Sequence, residues 1–253
     1  MKAYKAVFLD WDDTIGDFRH AEQQALRDIY AAHRLERLYP TFEDYYNTYH
    51  PHNLMLWDRY GRSETSKQEL QLERFLYPLL HASKGTEDAF GTGEEACAAS
   101  EEACVASEET VAEARAIGDE FLRLTNRYFR LLPGAEETVR YLAARYPLTI
   151  VSNGFTEVQY TKIRLSGLQD CFRHVVLSEE AGWQKPNPHI YEYALQLNNL
   201  PPTDVLMIGD SWNSDIQGAR NAGIDQLWIT ADLQDPRPST YRTSYIRDLR
   251  ELL

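Results

Sequence analysis

The chain is expected to fold as an α/β protein: a Rossmann-like, doubly wound parallel sheet with a helical domain inserted after the first strand. Two observations predict this. Short runs rich in β-branched and aliphatic residues occur at Ala6 to Leu9, Leu148 to Val151, Val175 to Leu177, Val205 to Ile208 and Gln226 to Ile229. Their length and unbroken apolar character suit strands buried on both faces. The last four alternate with helical patterns at Ala135 to Arg145, Val158 to Ser166, Ile190 to Leu197 and Ser214 to Ala222. Such alternation builds a parallel sheet with helices on its faces.

The interval between the first run and Leu132-Pro133-Gly134 holds no convincing strand. Ala21 to Tyr30, Phe42 to Tyr49 and Leu70 to Leu80 place apolar or aromatic residues at helical spacing, which suits a small bundle. Residues 1–15 and 132–253 are therefore expected to form the core, and residues 16–131 a helical cap over the strand ends. Within the cap, residues 83 to 115 carry nine acids against two bases. An imperfect seven-residue repeat runs from Glu94-Glu95-Ala96-Cys97 through Glu101-Glu102-Ala103-Cys104 to Glu108-Glu109-Thr110-Val111. Cys97, Ser100, Cys104, Ser107, Val111 and Ala114 follow 3-4 spacing beside a glutamate ridge, so a helix is expected. A solvated accessory helix is the simplest reading, with a partner-binding surface as the alternative.

Composition narrows the function. At 253 residues and 43% hydrophobic content, the chain can bury a real core. A formal charge of −13 without a basic run argues against a nucleic-acid polymer as partner. A small phosphate ester remains possible, because a metal ion and one or two cations can hold a single phosphate on an acidic protein. No apolar run approaches the ~20 residues needed to span a bilayer, and Val7-Phe8-Leu9 is stopped at once by acids, unlike a signal peptide. No membrane partner and a cytoplasmic location are expected. Cys97 and Cys104 lie two helical turns apart, roughly 10 Å, which is too far for a disulfide. His50 and His52 lack a third ligand at sensible spacing and read as ordinary polar residues.

In doubly wound sheets, ligands bind beyond the carboxyl ends of the strands. The residues there are Asp10, Ser152 with Asn153, Ser178 with the loop to Lys185, and Asp210. Asp10, Asp12 and Asp13 put three carboxylates in four residues, which is costly unless a cation neutralises them. Magnesium is the divalent ion usually paired with carboxylate and phosphate oxygens. An Asp-rich turn is also good capping chemistry, so this cluster alone leaves that alternative open. A second acidic cluster, Asp210 to Asp215, follows another strand. Ser152-Asn153-Gly154 offers a hydroxyl and backbone amides to phosphate oxygens. Lys185, in Gln184-Lys185-Pro186-Asn187-Pro188, is stiffened by prolines, as suits a fixed inward charge.

These four elements, in this order, resemble the haloacid dehalogenase superfamily, whose signature Asp-x-Asp-x-Thr matches Asp10-Trp11-Asp12-Asp13-Thr14. Ser152-Asn153-Gly154-Phe155-Thr156, Gln159, Arg164-Leu165, Gly167-Leu168, Ser178-Glu179-Glu180 and Lys185-Pro186-Asn187 look like one subfamily. That subfamily holds nucleoside 5'-monophosphatases acting on pyrimidine and noncanonical nucleotides, with a helical C1-type cap. The resemblance implies Asp10 as nucleophile and Asp12 as proton carrier. It implies a magnesium ion held by Asp10, the Asp12 carbonyl and Asp210, with Asp215 orienting its waters, and phosphoryl oxygens held by Ser152, Asn153 and Lys185. Asp12 separates the chain from the dehalogenases, which lack a carboxylate there. The motifs leave three alternatives: a sugar-phosphate phosphatase, a phosphoglucomutase-like enzyme, and a noncatalytic partner-binding module. The substrate choice is expected from the cap, with Tyr49 and Trp57 of an aromatic stretch, together with Phe155, as the candidate specificity residues.

Overall fold

The computed structural model describes residues 4–82, 106–232, 235–237 and 243–253. Strands β1 (Ala6–Leu9), β2 (Leu148–Ser152), β3 (Phe172–Leu177), β4 (Val205–Gly209), β5 (Asp225–Ile229) and β6 (Ser244–Ile246) form one parallel sheet in the order β3-β2-β1-β4-β5-β6. The α/β class read from the sequence is therefore the fold. The sixth strand was not anticipated: it has three residues, two of them exposed, and so lacks the apolar run that marks the others.

Side chains alternate between the two faces of the sheet, as the twofold period of a strand requires. Val7 and Leu9 of β1 join one core with Ile150, Ile208, Val139 of α5 (Ala135–Ala143) and Ile163 of α6 (Thr156–Ser166). Ala6 and Phe8 join the opposite core with Val151, Met207, and Ile190 and Ala194 of α8 (Pro188–Asn198), the helix that follows the short α7 (Ser178–Ala181). Because both faces are covered, every residue of β1 is buried. Strand β1 pairs with β2 on one side and β4 on the other, with Leu9 in register with both Ile150 and Ile208. Hence Asp10, Ser152 and Asp210 leave the sheet side by side.

The chain divides into two compact units, 1–21 with 126–253, and 22–125. These divisions lie a few residues from the expected boundaries at 15/16 and 131/132. The second unit is helical. It holds most of α1 (Phe18–Ala32), then α2 (Phe42–Gly61), α3 (Lys67–Leu80) and most of α4 (Glu108–Arg127). Reciprocal caps start two of these helices: Thr41 with Asp44 on α2, and Ser66 with Glu69 on α3. The aromatic stretch of α2 runs well past Tyr49 and turns its rings inward. Tyr45 and Tyr49 pack in a cluster with Phe75 and Phe121, with ring centroids 5.3 to 6.4 Å apart. Of the acidic repeat, residues 83–105 lie outside the described residues, Cys97 and Cys104 among them. Its last portion opens α4, where Ala114 is buried and Glu108 and Glu109 are exposed.

The helix expected over Ser214 to Ala222 is replaced by a turn of π-helix, Trp212–Gln217, followed by the short α9 (Gly218–Asn221). π-turns collect at functional sites because the extra residue re-aims a side chain. Here the Asp215 carboxylate turns back to accept the Ser211 amide at 3.0 Å.

Candidate active site

Asp10 stands one residue beyond β1, 7% exposed. Its Oδ1 accepts from the Lys185 ammonium at 2.5 Å, and the same ammonium donates to Asp215 Oδ1 at 2.6 Å. Lys185 is 3% exposed and Asp215 fully buried. A buried lysine keeps its charge only with strong partners. Burial opposes the Lys185 charge, but Asp10 and Asp215 outweigh it and raise its pKa. Asn153 fixes where this lysine enters: its side chain donates to the Lys185 carbonyl at 2.8 Å and accepts the Lys185 amide at 2.7 Å. That pairing commits the Asn153 side chain to the lysine loop and leaves untouched its main-chain amide, the group expected from the sequence to meet phosphate oxygens.

Around this pair, oxygens of Asp10, Asp210 and Asp215 all lie within 4.8 Å of one another. Burial, the Asp215 charge and smaller contributions from Asp12 raise Asp10 to about 7 against the pull of Lys185. Burial first, then Asp215, Asp10 and Asp13, push Asp210 well above the usual carboxylate range. Asp13, raised to about 6 chiefly by burial, stands close by with φ 56. Carboxylates crowded this closely call for a hard cation, and an oxygen-only donor set fits magnesium. Both Asp215 oxygens are engaged by the chain, one by Lys185 and one by the Ser211 amide. The nearest oxygens for a cation are thus those of Asp10 and Asp210. Thr14 donates to Asp210 Oδ1 at 3.4 Å, and the Trp228 indole donates to the Asp210 carbonyl at 2.7 Å.

Ser152 ends β2, 2% exposed, and its Oγ accepts from the Gly154 amide at 3.2 Å and from Gln159 Nε2 at 2.7 Å. Gln159 Nε2 also reaches Asp12 Oδ2 at 2.9 Å, and Lys162 Nζ sits 2.7 Å from Asp12 Oδ1. Two glycines make these approaches possible. A Cβ on Gly154 would stand 2.2 Å from Gln159 Nε2, and one on Gly209 would stand 2.4 Å from Asp215 Oδ2. An open cavity of about 530 Å³ beside Thr14 and Asp210 is lined in part by Asp13, Arg19, Arg247 and Arg250.

The structure thus brings Asp10, Ser152, Lys185, Asp210 and Asp215 to one end of the sheet, with Asp12 next to Ser152 through Gln159. Lys162 was missed. On an amphipathic helix a lysine reads as a surface residue, and only its spacing of three from Gln159 hinted at a shared face. Tyr49 is corrected: it is fully buried in the aromatic core of the helical unit and has no surface to offer a substrate. Trp57 is partly exposed, edge-on to Tyr60 at 5.7 Å, while Phe155 is 3% exposed at the start of α6.

Comparison with known proteins agrees with this geometry. The model of the haloacid dehalogenase-like hydrolases matches residues 4–223. YfnB of Bacillus subtilis is 28% identical over 253 residues, covering 100% of this chain and 95% of YfnB. A structure of YfnB bound to magnesium superposes with a TM-score of 0.79 over 99% of this chain and 97% of that one. Pyrimidine 5'-nucleotidase PynA of Streptococcus pneumoniae is 30% identical over 252 residues, 99% of this chain and 94% of PynA. Glyceraldehyde 3-phosphate phosphatase of Pyrococcus furiosus is 38% identical over 103 residues, 40% of this chain and 43% of that protein. The chain belongs to the haloacid dehalogenase-like hydrolases and is a hydrolase of phosphomonoesters. Among the described residues no helix is long and apolar enough to cross a membrane.

Proposed function

We propose that the chain is a magnesium-dependent phosphatase that works through a phosphorylated Asp10 and takes nucleoside 5'-monophosphates in preference to other phosphomonoesters. The observation that carries the chemistry is the buried ammonium of Lys185, shared by Asp10 and Asp215. It holds the Asp10 carboxylate in one orientation and favours its ionised form, which is what a nucleophile needs. In the first step an Asp10 oxygen bonds to phosphorus as the ester oxygen departs, and Asp12 gives its proton to that departing oxygen. In the second, Asp12 takes a proton from water, the water oxygen bonds to phosphorus, and the acyl phosphate bond breaks to release inorganic phosphate and restore Asp10. Lys185 spends two of its three N–H donors on Asp10 and Asp215, so the third is available to a phosphoryl oxygen. Ser152 Oγ and the Asn153 main-chain amide serve the remaining oxygens. Asp10, Asp210 and the Asp12 carbonyl, with Asp215 behind them, would hold magnesium, which when bound would supply positive charge against the transferring phosphoryl group.

The substrate class rests on the relatives and on the helical unit. PynA, a pyrimidine 5'-nucleotidase, matches over nearly the whole chain, whereas the glyceraldehyde 3-phosphate phosphatase matches over 40% of it. The helical unit 22–125 would select the substrate, with partly exposed Trp57 as its aromatic contact. A net charge of −13 favours small esters over nucleic-acid polymers as substrates, in a cytoplasmic setting. A phosphomonoester panel tests both parts. Phosphate release should require magnesium, stop with EDTA and with Asp10→Asn, and run faster on nucleotides than on hexose phosphates. A folded wild-type protein inactive on the whole panel would sink the chemistry; faster turnover of sugar phosphates would overturn the substrate class alone.

A further inference from the structure

We infer that Lys162 and Gln159 of α6 are positioning residues that set the Asp12 carboxylate beside the phosphate-binding hydroxyl of Ser152. The inference rests on reading Asp12 as the proton carrier. Lys162 Nζ lies 2.7 Å from Asp12 Oδ1, and Gln159 Nε2 lies 2.9 Å from Asp12 Oδ2. With one oxygen on each partner, the carboxylate is fixed in both direction and plane. The same Gln159 nitrogen reaches Ser152 Oγ at 2.7 Å, so a single amide ties the acid–base group to the hydroxyl that faces the phosphoryl oxygens. Residues three apart on a helix share a face, which lets both side chains of α6 meet one carboxylate.

Burial shows that this is more than a surface ion pair. Among the described residues only two lysines are buried, Lys185 and Lys162, each 3% exposed. One meets Asp10 and Asp215, the other Asp12. Gln159 is fully buried. The Lys162 ammonium also lies over the Phe18 ring, 4.5 Å from its centroid, an attractive contact for a cation. A well-packed apolar side chain in such a place is often as stable as a buried ion pair, or more so. A charge kept there at one catalytic carboxylate therefore serves that carboxylate's placement.

Leaving-group dependence tests this without relying on stability. A nucleoside 5'-monophosphate has an alkoxide leaving group that needs a proton, whereas 4-nitrophenolate departs without one. For Lys162→Met, kcat on uridine 5'-monophosphate should fall by roughly tenfold to a hundredfold with KM nearly unchanged. The pre-steady-state release of 4-nitrophenol from 4-nitrophenyl phosphate should stay close to wild type. Lys162→Arg, which keeps the charge, should recover most of the loss. Gln159→Leu should show the same split and serves if Lys162→Met does not fold. Equal losses on both substrates, a raised KM with normal kcat, or wild-type kcat on uridine 5'-monophosphate would each overturn the positioning role. Asp12→Asn is the reference. If it lacks the leaving-group split, the proton-carrier reading fails; if it shows the split and Lys162→Met does not, only this inference fails.

Discussion

Replacing Lys185 by methionine removes the ammonium shared by Asp10 and Asp215 while nearly keeping the side-chain volume. Two charge-assisted hydrogen bonds of 2.5 and 2.6 Å are lost. At about 1.5 to 3 kcal/mol each, they bracket a loss of about 3 to 6 kcal/mol. Breaking a buried ion pair by removing one partner costs about 3 to 5 kcal/mol. The two estimates agree on roughly 4 kcal/mol for the metal-free protein. Urea unfolding in EDTA at neutral pH reads this directly. With m taken as about 2 kcal/mol/M, the midpoint should fall by about 2 M. Trp11, Trp183, Trp212 and Trp228 lie in the α/β unit and Trp57 in the helical one, so tryptophan fluorescence reports mainly the unit that holds the substitution. Magnesium should narrow the gap between the two proteins, because it neutralises the same carboxylates. Lys185→Met should also be inactive. A midpoint shift under about 0.5 M would refute the claim that Lys185 compensates this acidic cluster.

Gly154→Ala should cut kcat at least about tenfold, because its methyl would stand 2.2 Å from the amide of fully buried Gln159 and would displace the link between Asp12 and Ser152. Wild-type kcat in that variant would show that the link is dispensable. His52 gives a pH prediction for the helical unit. Its ring stacks on Tyr77 at 3.8 Å, and burial, then the charges of His81 and Arg59, lower its pKa from 6.5 to about 4. The unfolded chain therefore takes up this proton first, so the stabilising difference is complete above about pH 6.5 and is lost as pH falls toward 4. Discounted for a half-exposed ring, the loss is about 1 to 2 kcal/mol. Relative to His52→Phe, which has no such proton to take up, wild type should lose about 1 to 2 kcal/mol in thermal melts between pH 6.5 and pH 4; a gap that stays constant over that range would contradict the assignment.

The sheet and the placement of the site were legible because buried strands advertise themselves. Ala6 to Leu9 is apolar on both faces, and the acid that ends it falls at the carboxyl edge, where β1 stands between β2 and β4. Asp10, Ser152 and Asp210 could be found from that logic alone, and Lys185 from the prolines around it. Other features left no such trace. β6 has one buried residue, too little to show a period. The π-turn at Trp212–Gln217 comes with a backbone bond from Ile216 to Ser211 and a bond from the Ser211 amide to the Asp215 side chain, which no apolar pattern encodes. Lys162 looks like a solvent-facing helix residue until Phe18 and Asp12, more than a hundred residues away in sequence, close over it. Tyr49 shows the opposite failure. A run of tyrosines serves stacking on a base and packing a helical core equally well, and only the contacts with Phe75 and Phe121 assign it to the core.

Trapping the phosphoryl group on the enzyme tests the proposed mechanism most directly. Protein mixed with magnesium and uridine 5'-monophosphate, quenched in acid within the first turnover and digested, should carry a phosphoryl group on the peptide containing Asp10. That modification should be labile to hydroxylamine and absent from Asp10→Asn. Normal release of inorganic phosphate with no phosphorylated peptide, or with the group on another residue, would contradict Asp10 as the nucleophile.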